Sequence, residues 1–146
     1  MSSETHLTPT AIVTGATYGI GRATAIALAK ERWNLVLTDL NPVTLEPVLA
    51  EIRALGVQAI GRALDLRKAD QLTLWVSDLG RDYPSLSVLV NNAGRPSLSK
   101  PATQTRVEEW DDTLDVNLKG TFFLTTAFGQ WLIAVSYTHL TLPTKA

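Results

Sequence analysis

The sequence predicts an α/β fold built on a doubly wound parallel sheet, and three observations carry that prediction. Short apolar runs alternate along the chain with apolar residues at helical spacing. A glycine-rich turn follows the first apolar run directly. The change from one period to the next coincides with helix start and stop residues, clearest at Pro47 and Gly56. Such alternation means parallel strands joined by helical crossovers, and right-handed crossovers leave few topologies.

Taken in order, Ala11-Ile12-Val13 is the first strand. Ile20, Ala23, Ala27 and Leu28 then recur at helical spacing and predict the buried stripe of the first helix. Leu35-Val36-Leu37 forms the second strand and ends at Thr38-Asp39. Pro47 would break a helix begun near Asn41, because proline removes an interior donor. With Thr44 as N-cap, Pro47 falls in the first turn, where the missing N–H costs little. Leu45, Val48, Leu49, Ile52 and Leu55 make the stripe of this helix, and Gly56 stops it. Val57 to Leu64 is the third strand, weakened by Gly61; Leu72, Trp75, Val76 and Leu79 mark the third helix. Ser87 to Val90 is the fourth strand. Asn91 to Gln104 reads as a loop, and a long helix follows from about Arg106 with Val107, Trp110 and Leu114 on one stripe.

The chain has 146 residues, enough for one domain with its own core. Its 45% hydrophobic and 18% charged content is that of a globular protein, and its net charge of -1 gives no basic excess for nucleic acid or an anionic membrane. Without cysteine there is no disulfide framework, thiolate metal site or thiol nucleophile. No apolar run approaches the roughly 18 to 20 residues that span a bilayer. The polar first ten residues lack a signal-peptide pattern, so a cytoplasmic location is expected, with no metal, nucleic-acid or membrane partner.

The glycine turn reads Thr14-Gly15-Ala16-Thr17-Tyr18-Gly19-Ile20-Gly21. Between a strand and a helix, glycines allow a tight turn and close approach of backbone to a pyrophosphate, while the helix N-terminus offers free N–H groups and partial positive charge. A plain strand-to-helix turn is the bland alternative. Asp39, at the end of the second strand, can accept the hydroxyls of an adenosine ribose and would repel a 2′-phosphate; the alternative is a solvated strand-end acid. Asp65, in Leu64-Asp65-Leu66, would by itself be a turn or cap residue. Asn91-Asn92-Ala93-Gly94 closes the fourth strand; these are turn formers, but they stand where the doubly wound order opens its crevice. Asn117 shares the stripe of Trp110 and Leu114, so it reads as a buried amide that needs partners, and a purely structural asparagine stays open at this level.

The spacing T-G-x-x-x-G-x-G, with N-N-A-G downstream, resembles the short-chain dehydrogenase/reductase family from about Thr10 to Ile133. The resemblance implies a Rossmann-type sheet of which this chain supplies four strands, the later ones lying beyond its end. It implies oxidoreductase activity, with hydride transfer between a nicotinamide cofactor and a small-molecule alcohol or carbonyl. Thr14, Gly15, Thr17, Tyr18, Gly19, Ile20, Gly21, Asp39, Asp65, Leu66, Asn91, Asn92, Ala93 and Gly94 would hold the cofactor. The Asp65 carboxylate would accept the adenine amino group, with the Leu66 backbone nearby. Relatives that prefer NADP carry a basic residue at the place of Asp39 or of Tyr18, so NAD is expected ahead of NADP. Val116-Asn117-Leu118-Lys119-Gly120 resembles the segment supplying the Asn of the catalytic Asn-Ser-Tyr-Lys tetrad, which holds a local helix bend and a water. The resemblance also implies a homodimer or homotetramer for the parent protein.

The other tetrad members have no counterpart here. Tyr137 is followed four residues later by Thr141 rather than Lys, and Ser136 follows no fifth strand. Val135 to Thr144, V-S-Y-T-H-L-T-L-P-T, resembles the in-frame translation of a transposon-type sequencing adapter. The cofactor-binding domain is therefore expected over 1–134, with 135–146 a non-native tail; a native stop codon after Ala146 at the source locus would overturn this. The expectation is an active parent enzyme and a fragment without turnover. The alternatives are a non-catalytic NAD-binding module or a fragment without function.

Overall fold

The computed structural model describes residues 7–96 and 99–136. Four parallel strands form one sheet: β1 (Thr10–Thr14), β2 (Asn34–Asp39), β3 (Ala59–Ala63) and β4 (Leu86–Val90), in the spatial order β3-β2-β1-β4. The chain steps outward from β1 to β3 and then returns to place β4 on the other side of β1. That reversal opens a crevice at the carboxyl ends of β1 and β4.

Both faces of the sheet are covered, which is why the strands read as continuous apolar runs. Successive side chains point to opposite faces. Ala11, Val13, Leu35 and Leu37 pack with α1 (Gly19–Lys30) and α2 (Glu46–Ala54). Ile12 and Val36 pack on the other face with α3 (Leu72–Asp82) and α5 (Thr121–Ser136). Between α3 and α5, the backbone at Gly80 meets the Trp131 indole, and a Cβ there would collide with it.

Several local expectations need correction. The buried face of α1 is Gly21, Ala25 and Ala29; Ile20 is 79% exposed, and Ala23 and Ala27 also face solvent. Small residues let α1 lie close to the sheet, and that closeness outweighs the larger side chain of Ile20. Thr44 is not the N-cap. A single 3-10 turn, Pro42–Leu45, precedes α2, and its cap is Asn41, whose Oδ1 accepts from the Val43 N–H at 3.1 Å. Pro47 does lie in the first turn of α2, and Gly56 ends that helix at φ 84°. Arg32 takes φ 68° at the exit of α1, a left-handed residue that no glycine announces.

The long C-terminal helix is two helices. α4 (Val107–Leu114) passes through a π-helical turn, Asp115–Gly120, into α5. Val107, Trp110 and Leu114 are 71%, 60% and 37% exposed, so their stripe is not buried against the described residues. Asn117 shares that exposure and is not a buried amide. α5 extends to Ser136, two residues beyond the expected boundary at 134; the rest of the expected tail, 137–146, lies outside the described residues.

Candidate functional site

The carboxyl ends of the four strands open onto a cleft of about 550 Å³. This is the size of a small-ligand site, at the switch point where open parallel sheets place one. Its walls come from the glycine turn, the ends of β2 and β3, the segment after β4 and the π-helical turn.

Each glycine of the turn is there for a stated reason. Gly15 has φ 64°, and a Cβ on it would stand 2.8 Å from the Ala93 Cα. Gly19 has φ 63° with open space around it, so its backbone conformation alone selects glycine. Gly21 faces the Asn92 amide so closely that a Cβ would overlap it. The turn therefore brings bare backbone to the cleft floor. Among the described residues no side chain caps the N-terminus of α1, and no acidic residue lies in its first turn, so the positive end of that helix is left for an anion. This cradle fits a pyrophosphate.

Asn92 and Thr14 lock the turn to the end of β4. The Asn92 amide donates to the Thr14 and Gly15 carbonyls at 3.0 and 2.9 Å, and the Thr14 hydroxyl accepts from the Asn92 and Ala93 N–H groups at 3.0 and 2.9 Å. At the end of β2, one Asp39 oxygen accepts the Thr17 hydroxyl at 2.6 Å and the other the Leu40 N–H at 2.9 Å. The carboxylate is thus pointed by two donors and lines the cleft beside Gly19 and Ile20.

At the end of β3, Asp65 is gripped by Arg67: Nε donates to Oδ1 at 2.9 Å and a terminal nitrogen to Oδ2 at 2.8 Å. That side-chain hydrogen bonding holds the Asp65 carboxyl below its ordinary pKa despite the opposing effect of burial, and raises the guanidinium. Arg67 also reaches Asp112 of α4 at 3.6 Å, and Asp112 pairs with Arg95 at 2.7 Å. A chain of alternating charges thus crosses from β3 to α4 to the segment after β4.

Asn117 clasps that same segment. Its Oδ1 accepts from the Arg95 N–H at 2.6 Å and its Nδ2 donates to the Arg95 carbonyl at 2.8 Å. The π-helical turn brings Asn117 there, and Gly120 lets the turn approach the Leu66 carbonyl, which a Cβ would strike. π turns of this kind concentrate at functional sites.

Of the residues expected to hold a cofactor, Gly15, Tyr18, Gly19, Ile20, Asp39, Asp65, Leu66, Asn92, Ala93 and Gly94 line the cleft. Thr14, Thr17 and Gly21 stand behind them and position them, while the Asn91 amide turns away to the Thr125 hydroxyl of α5 at 3.0 Å. Sequence reading missed Thr38, Leu40, Leu64, Arg67, Arg95 and Val116, which also line it. For Arg67 an acid two positions earlier was a signal; for Arg95 its adjacency to Gly94 was the only one.

The sequence profile described as short chain dehydrogenase matches residues 9–137. The chain belongs to that family. Among its relatives, a 3-oxoacyl-(acyl-carrier-protein) reductase of Staphylococcus aureus is 38% identical over 119 residues, covering 80% of this chain and 47% of the relative. The chain thus spans about half the length of that relative. Among solved structures, a metagenomic short-chain oxidoreductase in complex with NADP superposes with TM-score 0.81 at 36% identity, covering 86% of this chain and 57% of its own. A 3-oxoacyl-(acyl-carrier protein) reductase from Brucella melitensis in complex with NAD gives 0.82 at 31% identity, covering 94% and 53%. The matched residues take in the glycine turn, all four strands and the π-helical turn, the segments that build the cleft. Among the described residues, no helix is long and apolar enough to cross a membrane.

Proposed function

We propose that this chain is the NAD-binding portion of a dehydrogenase/reductase that interconverts an alcohol and a carbonyl. The observation that carries the NAD assignment is the Asp39 carboxylate, which lines the cleft with both oxygens already oriented by Thr17 and Leu40. A fixed negative charge there suits a ribose diol and opposes a 2′-phosphate. Tyr18, at the other place where a cation would serve NADP, is not a basic residue. When bound, the nicotinamide supplies the hydride acceptor or donor. The chain's own residues bind and orient: Gly15, Gly19 and the α1 N-terminus take the pyrophosphate, Asp39 the ribose, and Asp65 with the Leu66 backbone the adenine.

Asn117 is a positioning residue in this reading, since both ends of its amide hold the Arg95 backbone against the π-helical turn. The likeness to 3-oxoacyl reductases makes a 3-oxoacyl thioester the first carbonyl class to test with the parent enzyme. The exposed apolar residues Trp110, Leu118 and Phe122 support assembly of the parent as a homodimer or homotetramer through α4 and α5. Cytoplasmic location remains part of the same proposal.

For the 146-residue chain by itself we propose cofactor binding without turnover. Its tyrosines, Tyr18, Tyr83 and Tyr137, are followed at the fourth position by Arg22, Ser87 and Thr141, so no Tyr-x-x-x-Lys pair is present. Titration calorimetry is expected to show NAD bound at least about ten-fold more tightly than NADP, a gap of ~1.4 kcal/mol, and Asp39→Asn should narrow it. NADP bound as tightly as NAD would sink the assignment. Secondary alcohols added to the same NAD complex should yield no NADH.

A further inference from the structure

Arg67 is held by two carboxylates. Nε and one terminal nitrogen grip the two Asp65 oxygens, and the other terminal nitrogen faces Asp112. The guanidinium is planar, so the paired grip on Asp65 fixes its plane. The side chain is 41% exposed and lines the cleft, beside the apolar Leu40, Leu64 and Leu66. The same Leu40, Leu64, Asp65 and Arg67 continue into an adjoining depression of about 470 Å³ that also takes in Trp75, Gln71 and Lys68, so Arg67 is the planar cation at the β3 end of the cleft. Asp112, 38% exposed, holds Arg67 through one oxygen and Arg95 through the other, which bridges the recess to the segment after β4.

From this arrangement we infer that Arg67 is a specificity-determining residue for the cofactor's base: its guanidinium face is the platform on which the adenine ring stacks, while Asp65 reads the ring's edge and Asp112 positions the platform. The inference rests on the nucleotide-site reading above. A planar cation attracts the face of an aromatic ring and shares dispersion with it, and the effect grows when both are partly desolvated. A flexible ammonium at the same place would keep the charge and lose the plane. Gripping Asp65 also keeps that carboxylate ionised and aimed, so one side chain serves both the face and the edge of the base.

The test compares two probes on the 146-residue chain by fluorescence titration: NADH, which carries adenine, and reduced nicotinamide mononucleotide, which does not. Arg67→Ala and Arg67→Lys are each expected to weaken NADH about five-fold and to leave the mononucleotide unchanged. Asp112→Asn should produce a smaller loss, again for NADH alone. Melting curves identify any variant that fails to fold; Arg67→Lys keeps the charge and Asp112→Asn the shape, and these two carry the test if Arg67→Ala does not fold. Unchanged NADH affinity in Arg67→Lys would overturn the stacking role, as would an equal loss for the mononucleotide, which would mean a general collapse of the cleft. If the unaltered chain binds no NADH, the nucleotide-site reading itself fails and this inference with it.

Discussion

Two carboxylates in the cleft are held in different ways, and the difference is measurable. Asp39 is aimed by a hydroxyl and a backbone N–H, whereas Asp65 is held by a cation. Arg67 hydrogen bonding lowers the Asp65 carboxyl from its ordinary 3.8, and Lys100, then the Arg106 N–H, lower Glu109 of α4 from 4.5. A depressed acid contributes stability that is present above its unfolded pKa and lost as pH falls through its folded one. Urea midpoints should therefore stay level from neutral to about pH 5 and fall below about pH 4. Arg67→Gln should flatten the Asp65 share of that fall; a midpoint rising through the same window would contradict the account. At this scale the glycine turn, Asp39 and Asn92 could be singled out from local patterns, whereas Asp65 alone reads as a turn residue and stood out only through the family resemblance. The Asp112 bridge was not legible, because Asp112 and its two partners, Arg67 and Arg95, come from three separate segments.

Packing between elements decides what a glycine does, whatever its helical propensity. Gly80 of α3 lies under the Trp131 indole, while Gly129 of α5 has nothing within 4 Å of where its Cβ would stand. Gly80→Ala is expected to cost about 1–3 kcal/mol through overpacking. Gly129→Ala should stabilise by about 0.5–1 kcal/mol, since only helix propensity and chain entropy change. Thermal melts of the two variants should move in opposite directions; a shift of the same sign would refute the α3–α5 contact. The helices themselves were readable from apolar spacing and from Pro47 and Gly56. Which face of α1 is buried was not, because periodicity weighs Ile20 above Gly21, and close approach to the sheet reverses that order. The π-helical turn was equally hidden: Asp115 to Gly120 continues a helical pattern, and the extra residue per turn shows only once Gly120 meets Leu66 and Asn117 meets Arg95.

For the molecule as a whole, two apolar layers sandwich the sheet, and the cleft lies where the strand order reverses. Trp110, Leu118 and Phe122 are 60%, 64% and 59% exposed on consecutive helical segments. Large apolar side chains exposed on neighbouring turns suit an interface between copies, so the chain is expected to self-associate through α4 and α5. Sedimentation should show a concentration-dependent oligomer that Leu118→Glu with Phe122→Glu converts to monomer. A monomer at every concentration would refute the interface. The alternating order of strands and helices, the parallel sheet and the carboxyl-end location of the cleft were determined by sequence, since backbone conformation and apolar period are local properties and crossover handedness does the rest. Only the tertiary structure decided the exposure of Asn117, the grip of Arg67 on Asp65 and the bridge through Asp112. Those depend on which distant side chains arrive together, and long-range proximity leaves no period in the chain.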